Sequence, residues 1–175
     1  CGQNGNNSTV KLCYNTGEVS GTRDAVGGVC GVNLTTVNGC YNTGKVSGNN
    51  QVGGVCGNNE SGATLENSYN TNTVSGETLV GGVCGQNGFT VKGCYNTGEV
   101  SGYMLNVGGV CGLNGGTLQK CHNTGEVKGT GDYTGGVCGE NHSGTLENSY
   151  NTGKVSGTGN LTGGVCGQNG NNSTV

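Results

Sequence analysis

Val, Leu and Cys come singly or in short groups along this chain, set among Gly, Asn, Ser and Thr, and the same arrangement returns about every 27 residues. One thirteen-residue block, Thr-Val-Lys-Leu-Cys-Tyr-Asn-Thr-Gly-Glu-Val-Ser-Gly, runs from Thr9 to Gly21 and recurs from Thr36, Thr64, Thr90, Thr117 and Thr145. A seven-residue block beginning Gly-Gly-Val-Cys-Gly starts at Gly27 and again at Gly53, Gly81, Gly108, Gly135 and Gly163. Neither block has the 3.6-residue apolar spacing of an amphipathic helix. Short runs rich in Val and Thr, bounded by Gly, Asn and Ser, read as strands. Three strands per repeat are predicted: around Gly-Gly-Val-Cys-Gly, around Thr-Val-x-x-Cys-Tyr-Asn and around Val-Ser-Gly.

A period of this length marks an array of stacked units, none of which can bury its apolar face alone. The cysteines of the shorter block, at 1, 30, 56, 84, 111, 138 and 166, give a mean period of 27.5 residues. Length varies only between Gly21 and Gly27, between Asn33 and Thr36, and at their equivalents, which predicts two surface corners. The expected fold is all-β, a right-handed parallel β-solenoid of six coils and the start of a seventh, continuous over residues 1–175. Three apolar ladders would fill it: Val29, Val55, Val83, Val110 and Val137; Val10, Val37, Leu65, Val91, Leu118 and Leu146; and Val19, Val46, Val74, Val100, Val127 and Val155. Two asparagine ladders are expected beside them. One comprises Asn4, Asn33, Asn59, Asn87, Asn114, Asn141 and Asn169, the other Asn15, Asn42, Asn70, Asn96, Asn123 and Asn151. An amide both donates and accepts, so stacked Asn can bond up and down the array while satisfying the backbone of a bend.

Composition alone, with 41 Gly in 175 residues and 10% charged residues, resembles a flexible chain, but the fixed offsets overturn that reading. Seven scattered basic residues and a net charge of -3 argue against nucleic acid as a partner. No apolar run is long enough for a membrane span. No cofactor is implied. His122 and His142 belong to no repeated Cys-His arrangement, and Asp24 and Asp132 are the only aspartates, so neither nucleophilic catalysis nor a calcium repeat is expected and the chain reads as no enzyme.

Eleven cysteines point to an oxidising, extracellular setting. Their spacing lacks the close pairs of a zinc site. Within-coil bridges would join Cys1 to Cys13, Cys30 to Cys40, Cys84 to Cys94 and Cys111 to Cys121, leaving Cys56 and Cys138 free. Bridges between stacked neighbours, Cys13 with Cys40 and Cys94 with Cys121, and mostly reduced buried thiols are the alternatives. Stacked Cβ vectors run parallel, which favours the within-coil pairing. Tyr14, Tyr41, Tyr69, Tyr95, His122 and Tyr150 share one slot and would form an aromatic face able to meet a glycan or a neighbouring filament. Thr16, Thr43, Thr71, Thr97, Thr124 and Thr152 form a second outward column. Glycosylation signals stand at Asn33, Asn59, Asn141 and Asn160.

Gly-Gly-Val-Cys-Gly-x-Asn followed by Thr-Leu-Glu-Asn-Ser-Tyr-Asn-Thr-Gly-Lys-Val-Ser-Gly (145–157) resembles the GLUG repeat of bacterial surface adhesins and the stalks of certain secreted peptidases. The resemblance implies secretion, a right-handed β-solenoid and a stalk or adhesive role; Cys here takes positions usually aliphatic or Ser. Residues 166–175 repeat residues 1–10 without a change, which suggests a 165-residue higher repeat within a longer tandem array. The expected role is a structural extracellular rod, with self as the partner by end-to-end continuation or lateral bundling. The alternative is a recognition module that binds glycan or a host surface.

Overall fold

The computed structural model describes residues 1–5 and 7–175. Its regular structure is strand, in four sheets of seven, ten, six and six strands, with no helix among the described residues. Every pairing is parallel and joins equivalent residues of successive repeats, as in Val37 beside Leu65 and Leu65 beside Val91. The chain is therefore a β-solenoid of about six coils, rising about 29 Å at about 4.8 Å per coil.

One full coil shows how the sequence makes the turn. Cys30–Asn33 joins the seven-stranded sheet, Thr36–Asn38 and Tyr41–Asn42 the two six-stranded sheets, and Val46–Ser47 with Asn50–Gly53 the ten-stranded sheet. The thirteen-residue block thus breaks where a single strand was expected. Leu12, Gly39, Asn67, Gly93, Lys120 and Asn148 all take positive φ, between 50° and 64°, and turn the backbone between the two six-stranded sheets. Gly and Asn supply that conformation at four of the six positions, as the steric map favours. The first corner also differs from expectation, because it is itself strand. Asp24–Gly27 and its equivalents pair in register, and the one-residue length difference between Val74–Gly81 and Val100–Gly108 is absorbed as a bulge between Gly76 and Thr78.

The three expected apolar ladders are all present, and a fourth adjoins them. Val26, Val52, Val80, Val107, Thr134 and Thr162 stack in the ten-stranded sheet. The core is split in two. Val29, Val37, Leu65 and their equivalents pack with the cysteines, while the Val26 and Val46 columns form a separate cluster. Each fully buried Val or Leu contributes on the order of 1.5–3 kcal/mol relative to exposure. The solenoid is thin enough for its two sides to touch. A Cβ on Gly109 would lie 2.1 Å from the Gly136 carbonyl oxygen and 2.4 Å from the Asn123 amide carbon, and Gly28, Gly54, Gly82 and Gly136 likewise each seat an Asn from across the coil.

Candidate functional site

The two asparagine columns are the most regular polar feature. In the first, each Nδ2 donates to the Oδ1 of the next coil, from Asn4 through Asn33, Asn59, Asn87, Asn114 and Asn141 to Asn169, at 2.7–2.9 Å. In the second, Asn15, Asn42, Asn70, Asn96, Asn123 and Asn151 do the same at 2.8–2.9 Å. The remaining Nδ2 proton goes to a backbone carbonyl, as from Asn42 to Gly44 at 2.6 Å, which fixes which side of the amide is the donor. All the amide dipoles therefore point one way along the stack. Asn33, Asn59 and Asn141 are fully buried within this network, leaving their glycosylation signals closed, whereas Asn160 is exposed.

The aromatic column also forms. Tyr14, Tyr41, Tyr69, Tyr95, His122 and Tyr150 stack with centroids 4.7–5.1 Å apart and planes within 4–7° of parallel. Tyr14 and Tyr150 are exposed and the four rings between them half-buried. The geometry corrects one feature of the expected platform: each interior ring has both faces covered by its neighbours, so a partner meets ring edges. Sugar stacking uses ring faces, and only the terminal rings offer one. Burial, and then the neighbouring Tyr69, raises the Tyr95 phenol above its ordinary value. The threonine column lies alongside, with Thr71, Thr97, Thr124 and Thr152 exposed.

The eleven cysteines are free thiols, and the expected within-coil bridges Cys1 to Cys13, Cys30 to Cys40, Cys84 to Cys94 and Cys111 to Cys121 are not formed. The reason is directional. Each sulfur's partners lie in or beside its own column: Cys1 Sγ is 3.5 Å from Cys30 Sγ, and Cys30 Sγ donates to the Val32 carbonyl at 3.0 Å. Cys56 and Cys138, expected to be free, take equivalent places and donate to the Asn58 and Glu140 carbonyls at 3.3 and 3.1 Å. Hydrogen bonds among neighbouring thiols, with burial, push Cys30 and Cys111 up, and burial followed by Cys121 pushes Cys94 up. At Cys84 burial opposes ionisation, yet hydrogen bonds from Cys111 and Cys56 hold the thiol below its ordinary value, and hydrogen bonds from neighbouring thiols likewise hold Cys121 and Cys138 low, so raised and lowered thiols stand in the same columns.

Two features escaped the sequence reading. Glu99 stacked over Glu126 reads as a repulsive pair, but Lys128, standing where other repeats have Ser, bridges them at 2.9 and 3.1 Å, and Lys154 adds a contact to Glu126 at 3.2 Å. The Val26 column was hidden inside what looked like a variable corner; Val26, Val52, Val80 and Val107, preceding four of the six Gly-Gly-Val-Cys blocks with Thr134 and Thr162 preceding the other two, were the available signal. Among the described residues no group of three or more His, Cys, Asp or Glu converges to hold a metal, and no helix is long and apolar enough to cross a membrane.

With this geometry in hand, comparison with known proteins gives one result. Three stretches match the GLUG motif. They are residues 48–75, 76–101 and 130–156, together less than half of the chain. Each GLUG match extends roughly from one Val-Ser-Gly to the next, so the motif corresponds to one coil of the solenoid. No curated protein and no solved structure matches the chain.

Proposed function

We propose that this chain is a segment of an extracellular structural rod or stalk, without catalytic activity, whose work is to hold other parts at a distance or to build a filament. The observation that carries the reading is the vertical register kept from coil to coil: two amide rows, three aliphatic columns and an aromatic column continue through the stack. Such a body is stiff along its axis because every coil bonds the next through four sheets, and stability in repeat stacks is a sum over neighbours. GLUG repeats are consistent with a repeat-built structural or surface protein.

Surface recognition is the second reading, supported by the Tyr and Thr columns at one outward face. The covered ring faces weigh against sugar stacking, which leaves the row of hydroxyls as the means of contact. One measurement tests the first reading: antibody against this chain is expected to label the outside of intact producing cells. Labelling confined to the cell interior would overturn it. Glycan binding lost in Tyr69→Ala and Tyr95→Ala would favour recognition.

A further inference from the structure

The outer face of the sheet containing Thr36–Asn38 carries an order of charges that the fold itself does not require. Register stacks Lys11, Asn38, Glu66, Lys92, Gln119 and Glu147 in one column, so cation, amide and carboxylate follow one another through three coils and then again through the next three. Read in reverse, the column becomes carboxylate, amide, cation, twice over. Every Lys then falls where a Glu stood, and every amide where an amide stood. Two residues earlier on each strand, and so on the same face, Thr36, Thr64, Thr90 and their equivalents form a column that reversal leaves unchanged.

We propose that this face is an interface between two copies of the chain lying side by side and antiparallel, related by a two-fold axis that passes between Glu66 and Lys92. An axis along the strand direction inverts the stack and lays each column over itself. Glu66 then meets the second copy's Lys92, Lys11 meets its Glu147 and Asn38 meets its Gln119. With their symmetry mates the charged contacts are all of opposite sign. In a parallel pair with each residue over its own counterpart, the same column would set Lys on Lys and Glu on Glu. Charge therefore selects both the occupant and the polarity.

The side chains are placed for such a contact. Asn38 Nδ2 donates to Glu66 Oε1 at 2.5 Å and Gln119 Nε2 donates to Glu147 Oε1, so each carboxylate is held by the amide of the coil before it. Lys11 and Lys92 are exposed, and among the described residues neither forms an ion pair, although Lys92 stacks beside Glu66. The outward column of Glu18, Lys45, Glu126 and Lys154 also changes sign about this level, but there Lys128 and Lys154 already engage Glu126 within the chain. A strip two columns wide and about 29 Å long is well short of the ~800 Å² per partner of a stable interface, so the pair is weak and sensitive to salt. An isologous contact closes on itself, and the product is a dimer. The inference goes beyond the rod reading, because it needs the stacked register and not the extracellular setting.

Sedimentation equilibrium of the full chain is expected to show a monomer–dimer equilibrium that weakens as salt is raised. Glu66→Lys and Lys92→Glu, each checked by circular dichroism for an intact fold, set like charges against each other twice per dimer and are expected to weaken self-association about tenfold apiece. An equimolar mixture of the two variants opposes unlike charges again and is expected to associate about as well as the original chain. Should one variant fail to fold, the other and the salt dependence of the unaltered chain still decide. Three results would overturn the pairing: a monomer up to about 1 mM chain, association indifferent to both substitutions, or species that grow past the dimer. Surface labelling of cells without dimers leaves the rod reading standing, and dimers without surface labelling remove that reading and leave the pair.

Discussion

The two cysteine columns hold the same side chain for different reasons. In the column of Cys1, Cys30, Cys56, Cys84, Cys111, Cys138 and Cys166 every coil has Cys, and the backbone N–H of each residue from Cys30 to Cys138 finds a carbonyl or ladder partner, as Cys111 does on Val137. The sulfur there fills space. In the column of Cys13, Cys40, Ser68, Cys94, Cys121 and Ser149 the side chain has a duty to the backbone. Cys40 N donates to Ser68 Oγ and Cys121 N to Ser149 Oγ, both at 3.0 Å, and Cys13 N reaches Cys40 Sγ at 3.4 Å. The positive-φ turn one residue earlier leaves these N–H groups facing a side chain. Oxygen accepts as well as sulfur does, which is why Ser can stand for Cys at every third coil of this column. One column selects for volume and the other for an acceptor.

The asparagines carry duty to its limit, so the largest effect is expected there. Asn96→Ala removes the acceptor of Asn70 Nδ2, the donor to Asn123 Oδ1 and both bonds to Gly98 in a fully buried position. At about 1–3 kcal/mol for each buried group left unsatisfied, the loss should exceed about 3 kcal/mol in denaturant unfolding. A loss below about 1 kcal/mol would mean that the amide rows are ornaments of the fold.

Next in size come substitutions that exchange the requirements of the two cysteine columns. Ser68→Val strands the buried Cys40 N–H and is expected to cost about 1–3 kcal/mol, whereas Ser68→Cys, which supplies an acceptor again, should change stability by less than about 1 kcal/mol. In the other column Cys84→Val adds only about one carbon to the column and loses no backbone partner, so it should stay within about 1.5 kcal/mol. Urea midpoints for the three variants decide the matter. If Val were equally harmful, or equally harmless, in both columns, the distinction between volume and acceptor would fail.

The coil itself was legible in the sequence because parallel stacking puts identical residues in contact, and a fixed-offset repeat is the one-dimensional record of that contact. Val29, Leu65 and Val46 could be assigned to the core from spacing alone. Corners were harder. Leu12 and Lys120 occupy positive-φ positions that their side chains do not advertise, and only comparison with Gly39, Asn67, Gly93 and Asn148 in the same column reveals the shared conformation. The Val26 column was overlooked because a one-residue bulge in one coil looked like a loop of free length. The aromatic column was read correctly as a row, but ring orientation is set by packing along the axis, about which residue identity is silent. Bridge pairing was not legible either, since cysteines close in sequence can belong to columns whose sulfurs face their own kind.

A column with no backbone duty completes the series and should show the smallest effect. Glu18, Lys45, Thr73, Glu99, Glu126 and Lys154 point outward and differ from coil to coil, and the Lys128 bridge is the local response to two stacked carboxylates. Hydrogen bonding from Lys128, then from Lys154, holds the Glu126 carboxyl below its ordinary value of 4.5, and hydrogen bonding to Glu99, then to Glu126, holds the Lys128 ammonium above its ordinary 10.5. A depressed carboxyl contributes stability above its unfolded value and loses it as pH falls through the folded one. A raised ammonium contributes below its unfolded value and loses it as pH rises through the folded one. The cluster is therefore fully effective between those two ordinary values. Lys128→Ser, which restores the residue found at Ser20, Ser47, Ser75, Ser101 and Ser156, should flatten the part of the melting-temperature profile that this cluster imposes at acid pH. Added salt should shrink the same difference, because exposed pairs are screened over about 10 Å at 0.1 M. An acid-limb difference between the two proteins that persisted undiminished in high salt would give this column a structural duty after all, and would erase the line drawn between it and the acceptor column of Ser68.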